Sequence, residues 1–310
     1  MSSKEMFKIF HHLNNKENSY SLNSEEGLRR YKTFKITFKE IKEHNSKPNQ
    51  EYKLGVTSVA DWTDEEFYPK ISHSESYEAK SISSNQRSVG AGTPINWVAK
   101  GALSSKVLSM IPTCPSFGYL AVAVVFEAAY FIKNNMNISL SPQSLLNCGN
   151  GCGQFIDFLG DGYWNISKFG LFESSVVPWT GVKGTCENRT NGISQKSWEL
   201  LYNNADYPKM TFDDALAVLN RGPFIFRAQF TLNKFYTGGI FTPPTSTSTT
   251  CGSFYYSLAV VGYGIDSDKE YWIIRGVSGA NWGENGYLRL KRDDTKVNWG
   301  ITCNYGRPQM

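Results

Sequence analysis

Apolar residues fall at helical spacing near the start of the chain. Phe7 and Phe10, then Leu28, Tyr31, Phe34, Phe38 and Ile41, give each of two segments one apolar face, and such a face requires a packing surface. Residues 1–80 therefore read as helical first and extended later, and periodicity alone makes them an ordinary two-helix subdomain. Serine, asparagine, glycine and alanine without a period follow over 81–93, which predicts a linker. Beyond it the pattern changes. Residues 117–133 are apolar around the whole helical circumference, which places that helix centrally. Ser141 followed by Pro142 reads as an N-cap with proline in the first turn, leading into Leu145 and Leu146. A short helix is predicted over 211–220, with Thr211 as N-cap, Asp214 three residues on, and Gly222 and Pro223 as its stop. Residues 224–226, 257–261, 271–274 and 287–290 are β-branched or aromatic between glycine turns and read as strands. A low-complexity run at 242–250 reads as a solvated loop.

Composition narrows the class. With 310 residues, 40% hydrophobic, 14% aromatic and 19% charged, the chain is globular and long enough for two cores. The net charge of +4 is spread among acids without a Lys/Arg run, so neither nucleic acid nor a charged membrane is an expected partner. The apolar stretch 118–132 is interrupted by Glu127 and falls short of a bilayer span. Six cysteines, all after residue 113, form an even set that suits an oxidising compartment, although even sets also arise among free buried thiols. Asn137, Asn165 and Asn188 begin Asn-x-Ser/Thr triplets and are glycosylation candidates. The first ten residues lack the continuous apolar core of a signal peptide. All four histidines, His11, His12, His44 and His73, lie in the first quarter, so residues 74–310 contain no imidazole. With histidine missing there, no metal-ligand constellation forms, and no cofactor is expected.

Landmarks along the chain carry a resemblance. Cys114 precedes the apolar helix, Cys148 and Cys152 bracket Gly149, Asn150 and Gly151, Gly262 and Gly264 flank Tyr263, and Trp282, Gly283, Glu284, Asn285, Gly286 and Tyr287 stand in a row. This set resembles a papain-like, cathepsin L-like cysteine protease of peptidase family C1. Glu26, Arg30, Phe34, Ile41 and Asn45 fall on the spacing of the proregion signature of cathepsin L-like zymogens, with Thr37 in place of its asparagine. Gly55, Thr57, Val59 and Asp61 resemble the second motif of that I29-type inhibitor region. The resemblance implies an α+β chain: a mainly helical proregion-like inhibitor domain over 1–80, a linker over 81–93, and a two-lobed papain-like body over 94–310. Its helical lobe would run roughly 94–205 and its β-barrel-like lobe roughly 206–310. It implies disulfides Cys114–Cys152 and Cys148–Cys186, with Cys251–Cys303 as a third pair, although the usual position of the last cysteine aligns nearer Trp299.

The same resemblance fixes what to look for at the site. A thiol protease needs a thiolate, an imidazole base, a group that orients the imidazole and donors for the oxyanion. Counting back from Glu127, the cysteine position falls on Phe117, and the oxyanion glutamine on Ile111. The histidine position falls on Tyr256, a phenol near pKa 10 that is a poor base at neutral pH, and the orienting asparagine on Gly276. The substrate shelf appears as Gly151, Cys152, Gly153, Gln154 and Phe155; with Tyr255 and Trp282, Gln154 and Phe155 mark the former cleft as a candidate binding surface. Ser116, ahead of the helix, reads as a cap, and Glu284 and Asn285 as turn and packing residues.

The expectation is a catalytically inactive papain-fold pseudoprotease with its proregion docked on the cleft. It would serve as a binding or structural component with an unidentified protein partner, within a larger assembly. One alternative is a cysteine-type peptidase with Cys114 as displaced nucleophile; another is a protease inhibitor or decoy acting through residues 1–80. Paired cysteines would place it in the secretory pathway, lysosome-like or extracellular, and free thiols in the cytoplasm or an intracellular assembly.

Overall fold

Two serines start the N-terminal helices. In a computed structural model, Ser2 forms a capping box with Glu5 ahead of α1 (Ser3–Leu13), and the Ser24 hydroxyl accepts the Gly27 N–H ahead of α2 (Glu25–Ser46). The structure describes residues 1–67, 93–111, 113–149, 151–152, 166, 170–187, 192–194, 197–202, 211–243, 256–292, 299, 301 and 304–310. Phe7, Phe10, Phe34, Tyr20 and Ala60 meet in one buried cluster, as the periodicity requires. Leu28 departs from that reading and is exposed. At 3.6 residues per turn it lies about 120° round the helix from Phe34, off the packed stripe.

The two lobes form around α4 (Phe117–Asn134), whose residues from Phe117 to Ala129 are buried without interruption. That helix is long and apolar enough to cross a bilayer, but here its apolar surface is spent on the protein interior. In α5 (Pro142–Cys148), Ser141 accepts the Ser144 N–H, and disulfides Cys114–Cys152 and Cys148–Cys186 tie this lobe together. The β lobe holds α6 (Phe212–Arg221), whose Thr211 and Asp214 close a capping box.

The strands are β1 (Tyr52–Leu54), β2 (Ile95–Asn96), β3 (Ser197–Tyr202), β4 (Phe224–Ala228), β5 (Tyr236–Phe241), β6 (Tyr256–Asp266), β7 (Lys269–Arg275), β8 (Tyr287–Lys291) and β9 (Asn304–Gln309). They lie in the order β1, β5, β8, β7, β6, β4, β9, β3, with β2 added against β6. The pairings are antiparallel except β5 with β8. Of the nine strands among the described residues, five, β1, β2, β3, β5 and β9, have no counterpart in the hydropathy reading. Cys251, Cys303 and most of the 242–250 loop lie outside the described residues. Trp299, near the implied position of the last cysteine, is buried and edge-on to Phe230.

The first region is built into the body. Tyr52 pairs with Gly239 and Lys53 with Gly238, so β1 extends the sheet. Gly55 N–H donates to the Phe235 carbonyl (2.8 Å), and the Thr57 hydroxyl to that of Lys234 (2.7 Å). Val59, Trp62 and Phe67 join the main core. Ile41 and Leu54 enclose Phe235. Lys234 is buried, and its ammonium donates to the Trp62 carbonyl (2.9 Å) and to Asp64 (2.6 Å), both in the first region.

Replacing Lys234 by Met should loosen this seat, because Trp62 O loses a charged donor worth about 1.5–3 kcal/mol. Amide exchange at Lys53 and Gly55 should accelerate roughly tenfold or more while that of α4 is unchanged. Unchanged exchange at Gly55 would show that Lys234 does not hold the seat.

Candidate functional site

The segment before α4 is pinned from both sides. Ser109 bridges to Ser278, Met110 N–H donates to the Val277 carbonyl, and Ile111 bridges to Cys114, whose sulfur is bonded to Cys152. Phe117 then opens the helix as a buried residue of the central core. Its aromatic ring stands where the helix dipole would depress the pKa of a thiol. Ser116 occupies the N-cap position, but with φ −139° and ψ 33° its hydroxyl makes no capping bond, contrary to expectation. At 2% exposure, that hydroxyl has no hydrogen-bond partner among the described residues.

The other expected positions can be placed. Ile111 is half-buried and packs on Gly181, where an added Cβ would lie 3.2 Å from the Ile111 methyl. Tyr256 begins β6, its backbone paired with Ala228. Gly276 follows β7 and donates its N–H to the Gly286 carbonyl (2.8 Å). A Cβ there would stand 2.6 Å from the Trp282 ring, so no side chain fits without moving that indole. Trp282 itself corrects the sequence reading: it is 1% exposed and donates to the Asn233 carbonyl, so it is a wall beneath Gly276 and not a binding surface. Gln154, Phe155 and Tyr255 lie outside the described residues. From the first region, the Ser58 hydroxyl reaches the Ser278 carbonyl (3.2 Å). The described histidines all belong to that region, with His11 on the Tyr20 carbonyl and His44 on that of Tyr52; His73 lies outside the described residues.

Each first-region motif residue has a structural partner. Glu26 binds Arg29 and Arg30, which hold its carboxyl down at about 2. Arg30 in turn grips Glu66 through two nitrogens and donates to the Asp61 carbonyl. Asp61 is buried and accepts from the Tyr20 hydroxyl (2.7 Å) and Lys16. Asn45 exchanges two bonds with the Leu54 backbone. Gly55 lies so close to Thr237 that a Cβ would meet its methyl at 2.7 Å.

Farther along α4, Glu127 is a carboxylate in an apolar helix. Its two oxygens accept the N–H groups of Ser104 and Leu140, both at 3.0 Å. Burial pushes its pKa up to about 7, against the pull of Arg275 and of those donors. Glu284 accepts from Gly239 N–H and binds Arg289, and Asn285 turns with φ 54°, in keeping with turn and packing roles. Asn137 is exposed but committed: its amide donates to the carbonyls of Gly101 (2.7 Å) and Leu103 (3.0 Å). That use argues against it as a glycan acceptor; Asn165 and Asn188 lie outside the described residues. Among the described residues no cluster of metal-ligating side chains occurs.

Comparison with known proteins places this geometry. The model of the papain family cysteine proteases matches residues 91–306, and that of the cathepsin propeptide inhibitor domain (I29) matches residues 7–67. A cathepsin L-like proteinase of Phaedon cochleariae is 32% identical over 289 residues, covering 89% of this chain and 85% of its own. Ananain of Ananas comosus is 29% identical, covering 87% and 77%. Among solved structures, digestive procathepsin L 3 of the Tenebrio molitor larval midgut superposes with a TM-score of 0.83 at 23% identity over the whole of both chains. The recombinant stem bromelain precursor gives 0.80 at 24% identity over 99% of each. These likenesses extend over the first region as well as the two lobes.

Two outcomes follow from the geometry. A carboxyl whose folded pKa is raised from 4.5 to about 7 stabilises the native state only while protonated. Its contribution is whole below about pH 4.5 and lost as pH rises through about 7, so wild-type Tm should fall more steeply across that window than that of Glu127→Gln. Equal slopes would remove Glu127 from the pH response. Glycopeptide mass spectrometry should find Asn137 unmodified, because a glycan takes one of the two hydrogens it donates; an occupied Asn137 in folded protein would contradict this.

Proposed function

This chain belongs to the papain family of cysteine proteases, and we propose that within the family it works without peptidase chemistry, as a binding or structural component that keeps its proregion seated. The observation that carries the reading is the absence of histidine from residues 74–310. A papain-type reaction needs an imidazole to take the thiol proton and return it to the leaving amine, and no shift of alignment can supply one to the body. Phe117 at the start of α4, Ile111 on Gly181 and the side-chain-free Gly276 support the same reading at the three other positions.

The alternative of Cys114 as displaced nucleophile is weakened by its bond to Cys152, which leaves no thiolate. A decoy role for residues 1–80 acting on another enzyme is weakened as well, because Ile41, Leu54, Trp62 and Phe67 are already buried against this chain's own body. Seated in this way, the first region has no route of self-release, since cutting the linker would require the missing chemistry. Two disulfides among the described residues favour an oxidising compartment. The partner would be another protein, recognised by surfaces other than an open substrate cleft.

Purified protein should hydrolyse no peptide between about pH 4 and 8 under mild reduction, the range in which an imidazole would titrate. Phe117→Cys should be equally silent, since base, orienter and oxyanion donor act as a unit. Turnover accompanied by labelling of a cysteine with an epoxide or vinyl-sulfone probe would overturn the proposal.

A further inference from the structure

A cavity of about 110 Å³ lies against the far half of α4. Its mouth is formed by the exposed Lys106 and Pro178 and the half-buried Leu108, Ser174 and Trp179. Its floor is Glu127 and Arg275, which are 4% and 6% exposed. Glu127 is ten residues along the helix from Phe117, about 15 Å at 1.5 Å per residue, so the floor is well removed from the start of α4.

A buried carboxyl and a buried guanidinium face one cavity, and among the described residues no ion pair joins them. Each is satisfied only in part. The Glu127 carboxylate accepts one N–H on each oxygen, from Ser104 and Leu140, which leaves about half of its lone-pair sites. Arg275 donates through Nη1 to the Ser104 carbonyl (2.8 Å) and the Tyr287 hydroxyl (3.3 Å), and through Nη2 to the Lys106 carbonyl (2.6 Å). A guanidinium has five donors, so capacity remains on this side too. Buried charges of this kind are costly unless their remaining sites are met. Between floor and mouth lie the apolar side chains of Leu120, Val124 and Leu140, with Ser104 and Ser139 among them. A polar floor, largely apolar walls and a mouth that carries Lys106 and Ser174 together make a small-molecule site.

We propose that this cavity binds a small zwitterion of amino-acid size, its ammonium on Glu127, its carboxylate on Arg275 and a short aliphatic side chain against Leu120, Val124 and Leu140. The volume sets the size. At about 110 Å³, somewhat less than the roughly 150 Å³ that accepts benzene, the enclosed part takes a compact molecule of a few non-hydrogen atoms, and the open mouth leaves room for a short side chain. A simple amine would leave the guanidinium unmet, and a simple carboxylate would leave Glu127 unmet. Only a molecule with both groups replaces the hydrogen bonds of the water it displaces. The inference does not depend on whether the chain is a peptidase.

The test is calorimetric titration of the full chain at about pH 8, where Glu127 is mostly ionised, with L-valine, isobutylamine and isobutyrate, each paired with a thermal melt. Valine should bind saturably at one site and raise Tm, and each half-molecule should bind at least about tenfold more weakly, as expected for the loss of one charge-assisted contact. Ser174→Leu narrows the mouth and removes the bonds of the Ser174 hydroxyl to Ser139 and the Leu140 carbonyl; it should abolish valine binding with the near-UV circular dichroism of the wild type retained, whereas Ser174→Ala, which loses the same bonds without the bulk, should keep it. Glu127→Gln should remove the preference for valine over isobutyrate; should that variant fail to fold, Ser174→Leu alone decides. No saturable valine binding by folded wild type, equal affinity for the three probes, or full binding by Ser174→Leu would each overturn the proposal.

Discussion

Helix α4 has no side that faces water for most of its length, and that constraint organises everything around it. A helix apolar all round must be surrounded. Here β4, β6 and β9 cover it from the β lobe, α5 covers it from its own lobe, and a single cluster of buried residues runs from Phe117 through Val260 and Trp272 to Trp299. The one carboxylate of this helix, Glu127, fixes two segments distant in sequence by accepting their N–H groups, so the polar exception acts as a tie between the loops at 104 and 140. Arg275 performs the complementary task, donating to the carbonyls of Ser104 and Lys106. One short stretch of backbone is thereby held by an anion on one side and a cation on the other.

The seat of the first region shows a different kind of dependence. Strand addition at β5, the enclosure of Phe235 and the buried Lys234 use backbone pairing, apolar contact and charge at adjacent points. Such a combination distributes the interaction over residues 41–67, so loss of any one contact leaves the rest in register. Within that region, the charge network of Glu26, Arg29, Arg30 and Glu66 lowers the pKa of both carboxyls, which favours the ionised network in mild acid.

What was legible in the sequence was local. The capping serine at 141 and the capping box at 211 mark their helices because the signal and the structure lie within four residues of each other. Strands β4 and β6 were readable because burial on both faces demands continuous apolar and β-branched residues, and β7 and β8 because buried positions alternate with half-buried ones between glycine turns. Strand β5 was not, since Gly238 and Gly239 interrupt it, and β9 was not, since it contains Gly306 and Pro308; both are held in the sheet by partners far away in the chain. The first-region motif was visible through its resemblance, but the reason for each residue, such as Asn45 closing on Leu54, appears only in three dimensions. At the site, Glu127 stood out as a charge in an apolar run, whereas its proximity to Arg275, the burial of Trp282 and the commitment of Asn137 depend on nonlocal contacts that no spacing encodes.

The contact between Gly276 and Trp282 gives this chain a direction in sequence space. The indole is held by its bond to Asn233 and by packing on Tyr236, and it occupies the space that the first carbon of any side chain at 276 would need. A substitution at 276 therefore meets a steric penalty before it can offer a hydrogen bond, and relief requires a second change elsewhere in the same core. A route to a side chain at that position is thus a pair of steps of which the first is unfavourable, a barrier built from one ring and the absence of one carbon.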